Sequence, residues 1–120
     1  ALLTIHGGTS CRGNINELQA FSLGNNLTSM SYLYKVQLQS PHGLGLHGNY
    51  VYVCDHSNGL YITQLSKKYP SSSVKYQPAG ITFLDLIPYN NYLICQTTKG
   101  ITYLDISNPI APLWLSAITL

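Results

Sequence analysis

His42, Asp55 and His56 are the residue types from which a metal site or an acid–base pair is built. Arg12 adds a permanent cation, which together with His56 would suit an anion or a sugar. Asn58, Gln96 and Lys99 would extend such a cluster with further hydrogen-bonding groups. A plainer role competes with this one. Asp55 and Asn58 sit where the chain turns, and both side chains can close a tight turn through Asx hydrogen bonds, leaving His56 solvated. Because Asp55 and Asn58 belong to a repeated pattern, the turn role is the one adopted, and Arg12, His42, Asp55, His56, Asn58 and Lys99 are kept as candidate ligand contacts.

Hydrolytic chemistry finds little support. Asp55-His56-Ser57 are contiguous, whereas a triad needs three groups that converge from separate places. Gly8-Thr9-Ser10-Cys11-Arg12 is one residue short of a nucleophile elbow and has no helix after it. The carboxylates are Glu17, Asp55, Asp85 and Asp105, and a glycosidase needs two of them about 5–10 Å apart. Asp105 lies in an Asp-Ile-Ser-Asn-Pro turn, a structural setting; Asp85, in an innermost strand, is placed to line a channel. Tyrosines and Trp114 could form a sugar-stacking surface, but most lie inside strands, where packing explains them. Asn26-Leu27-Thr28 is a formal glycosylation sequon.

Cys11, Cys54 and Cys95 contain no C-x-x-C pair and fit no zinc pattern. Cys54 and Cys95 hold the same place in successive repeats, too far apart for a disulfide if the repeats are stacked sheets. Cys11, in a loop, has more freedom to reach Cys54. A Cys11–Cys54 bridge and three buried free thiols stand as alternatives. No cofactor is assigned.

The elements that would position these residues are strands. Asn49, Cys54, Gly59, Leu65 and Ser66 recur as Asn90, Cys95, Gly100, Ile106 and Ser107, each 41 positions on. A weaker copy sets Asn16, Leu18 and Leu23 against Asn58, Leu60 and Leu65, 42 positions on. Repeats of this period built from short strands are the signature of β-propeller blades. Gly and Pro punctuate the chain, and Tyr50-Val51-Tyr52-Val53-Cys54 is an apolar run with no polar face, as a strand covered on both sides requires.

One repeat reads as strands near Leu44–His47, Tyr50–Asp55, Leu60–Leu65 and Val74–Gln77. The next reads as strands near Thr82–Ile87, Tyr92–Gln96, Ile101–Ile106 and Leu113–Ile118. Pro41-His42-Gly43-Leu44 matches Pro78-Ala79-Gly80-Ile81 at a shift of 37, which implies about four residues inserted around Pro88-Tyr89-Asn90-Asn91. The first repeat offers only Leu2–His6, Glu17–Leu23 and Tyr32–Leu38, and its inner strand is missing. The fold class is therefore all-β: a partial β-propeller over 1–120, with a blade at 1–38 lacking its inner strand and complete four-stranded antiparallel blades at 42–78 and 80–120. Propellers have 4–8 blades. Two complete blades and most of a third would leave apolar faces uncovered at both ends, a cost removed by further blades of a longer chain or by further copies of this one.

Composition narrows the function classes. Charged residues make up 8% of the chain, and ten tyrosines supply polarity without charge. The net charge of +2 comes from scattered residues, with Lys67-Lys68 the one basic doublet. Nucleic-acid binding needs a basic patch or stripe, so it is not expected. No apolar run reaches the ~18 residues of a membrane helix. Ala1–His6 has no basic n-region and reads as a strand, and without an initiator Met the chain is expected to be an internal piece of something longer.

Gly48-Asn49-Tyr50-Val51-Tyr52-Val53-Cys54-Asp55, Gly59-Leu60-Tyr61-Ile62 and Gly100-Ile101-Thr102-Tyr103-Leu104-Asp105-Ile106-Ser107-Asn108-Pro109-Ile110-Ala111-Pro112 together resemble the LVIVD-repeat family, whose units read "GN-x-aYVaD…nGLxIiDISnPxxP". Gln64 and Lys67-Lys68 depart from it. Cys11-Arg12-Gly13, Pro41-His42-Gly43-Leu44, Cys54-Asp55 and Ile87-Pro88-Tyr89-Asn90 resemble the C-terminal portion of exported LVIVD-repeat proteins of Bacteroidetes-type bacteria, commonly lipoproteins or surface proteins. The resemblance implies a propeller at the cell surface and no reaction. The function expected is a non-catalytic scaffold or interaction module with a protein or glycan partner. A carbohydrate- or metal-binding propeller is the alternative, and third is an enzyme sharing its catalytic groups with other blades.

Overall fold

The computed structural model describes residues 2–5, 8–9, 13–24, 29–65 and 71–119. All the elements among them are strands: β1 (Leu2–Ile5), β2 (Gly8–Thr9), β3 (Gly13–Asn14), β4 (Glu17–Leu23), β5 (Met30–Gln37), β6 (Leu44–His47), β7 (Tyr50–Cys54), β8 (Leu60–Gln64), β9 (Ser71–Tyr76), β10 (Phe83–Tyr89), β11 (Tyr92–Thr97), β12 (Gly100–Asp105) and β13 (Leu113–Ile118). They form three successive antiparallel sheets, ordered β1-β4-β5, β6-β7-β8-β9 and β10-β11-β12-β13. The all-β, partial-propeller class read from the repeats is the one observed. A short β2–β3 ladder was not foreseen.

Strand β7 shows why its sequence has no polar face. Val51 and Val53 point back toward the first sheet, into a core shared with Leu18, Leu38 and Tyr61. Tyr52 and Cys54 point forward, with Leu60 and Ile62, onto Phe83, Leu86, Leu93, Cys95 and Leu104 of the third sheet. Alternate side chains of one strand thus fill two cores. Each fully buried aliphatic side chain contributes about 1.5–3 kcal/mol. The face of each sheet turned toward the next sheet in chain order is its front, and the opposite face its rear.

The inner strands approach most closely. A Cβ on Gly45, in β6, would lie 2.6 Å from Leu86 Cδ1 and 2.8 Å from Pro88 Cδ of β10. Only glycine leaves room for β10 across the front of β6. On the rear of the same strand the situation is reversed. Leu46 pairs with Val51 and shares its side of the sheet, yet Val51 is fully buried while Leu46 is 51% exposed. Among the described residues the first sheet has three strands, and none lies over Leu46.

The register differs from the expected one at two points. The insertion lies in β10, seven residues long against four in β6 and bulged between Phe83 and Asp85. The turn itself is two residues in both sheets, Gly48-Asn49 and Asn90-Asn91, and Gly48 (φ 59°) and Asn90 (φ 52°) both take the left-handed conformation. Tyr50 therefore corresponds to Tyr92, Val53 to Cys95 and Cys54 to Gln96. The shift on this strand is 42, not 41. It returns to 41 at Gly59 and Gly100, because the loop after β7 is one residue longer than the loop after β11. Cys54 and Cys95 do not hold the same place: one lies on a front and the other on a rear, and both enter the same core.

Candidate functional site

The loop after β7 carries Asp55, His56 and Asn58, and the crossing from β5 to β6 carries His42. The two meet at one end of the second sheet. The Asp55 carboxylate is only 1% exposed. Its Oδ1 accepts the backbone N–H groups of Ser40 at 2.7 Å and Gln39 at 3.0 Å, and Oδ2 accepts Gln39 N–H at 3.3 Å. The Asp55 carboxylate does not make the Asx cap expected of it; its partners lie elsewhere. It ties the crossing from the preceding sheet, and the turn is closed by backbone bonds from Asn58 N–H to the Asp55 carbonyl and from Asp55 N–H to the Gly59 carbonyl.

His42 is fixed from several sides. Its N–H donates to the Cys54 carbonyl at 2.7 Å, and its carbonyl accepts the Thr4 hydroxyl at 2.9 Å. Nδ1 lies 2.8 Å from the Ser40 carbonyl. A carbonyl only accepts, so Nδ1 carries the proton in this contact. The ring stacks on His56, centroids 5.3 Å apart at 29°. His56 has φ 52°, a left-handed conformation that is strained for a non-glycine residue. Its carbonyl accepts Phe83 N–H at 3.1 Å, joining this loop to the inner strand of the third sheet. Both imidazoles are half-buried, as is Asn58.

The structure brings His42, Asp55 and His56 together; Gln96, in β11, and Lys99, in the loop after it, belong to the next repeat. Lys99 is exposed, and its N–H donates to Thr97 Oγ1 at 3.0 Å. Arg12 and Cys11 lie outside the described residues, as do Lys67-Lys68 and the Asn26-Leu27-Thr28 sequon. Among the described residues no group of three or more His, Cys, Asp or Glu side chains is arranged so as to hold a metal ion. Cys54 is a fully buried thiol, and Cys11, the other half of the expected Cys11–Cys54 bridge, lies outside the described residues. The Cys54 side chain points forward into the core beneath the third sheet, and burial pushes its thiol pKa up, with Cys95 and Asp85 adding to the shift.

Glu17 accepts a hydrogen bond from Gln19 and pairs with Lys35 at 3.1 Å, and these contacts hold its pKa below the usual value. Asp105 accepts Ser107 N–H at 2.8 Å, and hydrogen bonds from Ser107 lower its pKa. Asp85 is exposed on β10 and lies against Gly43. Trp114 does not belong to an exposed stacking surface, since it packs on the core between the second and third sheets.

Sequence reasoning placed an uncovered face at the end of the stack but not its detail. The front of the third sheet holds an open groove of about 540 Å³ lined by Tyr89, Tyr92, Ile94, Tyr103, Leu115 and Ser116. Tyr92 alternating with Ile94 was the available signal.

No helix among the described residues is long and apolar enough to cross a membrane. No curated protein and no solved structure matches the chain. The chain carries an LVIVD repeat: residues 42–72, which run from His42 through β6, β7 and β8 into β9, match the family model of that description.

Proposed function

We propose that this β-propeller-like repeat module is a non-catalytic scaffold of an exported bacterial protein, binding a protein or glycan at the cell surface through its loop face. The reading is carried by Asp55. The one carboxylate within the loop cluster is occupied by two backbone N–H groups and holds adjacent sheets together. What the loop face then offers a partner is shape, imidazole and backbone polarity, the means of recognition by many modest contacts. The LVIVD match supports the repeat-module part of this reading.

A glycan array and a binding screen against purified cell-envelope proteins test it. Binding that weakens when His42 and His56 are both replaced by Ala, with the fold retained, supports the reading. Turnover of a bound candidate, abolished by the same replacements, would overturn it. A second reading, binding of sugar or a metal ion, draws on the stacked His42–His56 pair. A thermal shift with divalent cations that vanishes in His42→Ala would favour it.

A further inference from the structure

Asn58-Gly59 is the one Asn-Gly pair in the sequence. In such a pair the backbone nitrogen after the asparagine can attack the side-chain amide, because glycine has no Cβ to block the approach. The fold requires the glycine. Gly59 takes φ 85°, and a Cβ on it would run into the Tyr76 carbonyl and lie 2.9 Å from Gln77 Cα. The equivalent turn of the third sheet keeps its glycine for the same reason, Gly100 (φ 101°) against the Ile118 carbonyl. There the residue before it is Lys99, which has no side-chain amide to attack. Of these two turns only the one after β7 pairs the obligatory glycine with an asparagine.

The same turn restrains the reacting nitrogen. Gly59 N–H donates to the His56 carbonyl at 3.3 Å, Asn58 N–H to the Asp55 carbonyl at 2.9 Å, and Asp55 N–H to the Gly59 carbonyl at 2.9 Å. Gln77 Nε2 adds a bond to the Ser57 carbonyl at 3.1 Å. Gly59 is buried and Asn58 half-buried. Attack requires the Gly59 nitrogen to lose its proton and swing toward Asn58 Cγ, and these bonds resist that rotation. The His56 carbonyl is a shared acceptor, since it also takes Phe83 N–H at 3.1 Å. The bond that holds the proton of the nucleophile therefore sits at the joint between the second and third sheets.

We propose that Asn58 is a site of spontaneous succinimide formation, shut in the folded loop and released when the His56 joint opens. The Gly59 nitrogen gives its proton to water and bonds to Asn58 Cγ, and the side-chain nitrogen takes up a proton and leaves as ammonia. Water then adds to either carbonyl of the ring, giving aspartate or isoaspartate at position 58. Aspartate keeps the length of the backbone. Isoaspartate inserts a methylene between Asn58 N–H and the Gly59 carbonyl, two groups that both bond to Asp55. The turn then no longer closes as it did, and a transient opening becomes permanent.

Peptide mapping by mass spectrometry tests this on the full chain, held in mildly alkaline buffer with and without denaturing urea. In urea, Asn58 should be the first asparagine to exchange its side-chain nitrogen for oxygen. Without urea its rate should fall tenfold or more, and Asn58→Gln should show no modification there. Molecules carrying isoaspartate, separated chromatographically, should have lost amide protection at Phe83, whereas Asn58→Asp should keep it. Equal rates with and without urea would overturn the gating by the fold. Faster modification at another asparagine would overturn the site, and full Phe83 protection in the isoaspartate form would overturn the link to the joint.

Discussion

The hydroxyl of Tyr52, in the middle of the second sheet, donates a 2.8 Å hydrogen bond to the carbonyl of Pro109, in the loop that follows β12 of the third. One bond thus joins the most buried strand of one repeat to the Asp-Ile-Ser-Asn-Pro turn of the next. Tyr52→Phe keeps the ring in its core and removes the bond, leaving the Pro109 carbonyl without this donor. A loss of about 1 kcal/mol in urea unfolding is expected. An unchanged midpoint would show that the carbonyl finds water equally well.

The same phenol gives a pH dependence. Burial, and secondarily Tyr50, pushes its pKa up to about 12. The unfolded phenol titrates near the ordinary value of about 10. The folded state therefore holds its proton in a range where the unfolded state has lost it. Stability from this group is complete below pH about 10 and falls as pH rises toward about 12. Urea midpoints measured across that range should decline in the wild type and decline less in Tyr52→Phe.

Removing the Asp55 carboxylate should loosen the join between the first and second sheets. Asp55→Ala leaves the Gln39 and Ser40 N–H groups without their acceptor; both bonds are partly buried, and a total cost of about 1–3 kcal/mol is expected. Asp55→Asn keeps one oxygen acceptor and should cost less. Thermal unfolding of both variants, with amide exchange at Gln39 and Ser40, checks the order. Equal effects from the two would mean that charge, and not the acceptor, is what matters there.

Cys54 and Cys95 should be inert in the native protein. Both thiols are fully buried, and burial raises the Cys95 pKa to about 12, so the reactive thiolate is scarce at neutral pH. They face each other from stacked sheets, whose backbones lie roughly 10 Å apart, beyond the ~7 Å Cα limit of a disulfide. Mass spectrometry after iodoacetamide treatment should find both unmodified without denaturant and both alkylated in it. A Cys54–Cys95 bridge after oxidation would contradict this packing.

How far the sequence could be read is clearest at these cysteines. Glycines at equivalent turns and the alternating run Tyr50–Cys54 made the stacked sheets legible, because positive φ and two-sided burial restrict residue type strongly. The facing of Cys95 was not legible. It depends on a single residue of loop length between β7 and β8, and a shift of one reverses every side chain on a strand. The environment of Asp55 was hidden for a different reason. Its partners are backbone N–H groups of the previous crossing, and backbone donors carry no mark in a sequence. His42 and His56 were rightly placed at one loop end, since a crossing and the loop between the second and third strands emerge on the same side.

Gly45 and Ile87 occupy equivalent positions in opposite settings, and substitution should separate them. Gly45→Val would drive a branched side chain into Leu86 and Pro88 of the neighbouring inner strand. Neither neighbour can yield freely, Leu86 being buried and Pro88 held in its ring, so overpacking of about 1–3 kcal/mol is expected. Ile87→Val, at a position 65% exposed on the open front, should fall within about 0.5 kcal/mol of the parent. Urea unfolding of both variants at low protein concentration, where association does not contribute, makes the comparison. If Gly45→Val proved as mild as Ile87→Val, the inner strands would not approach as closely as described.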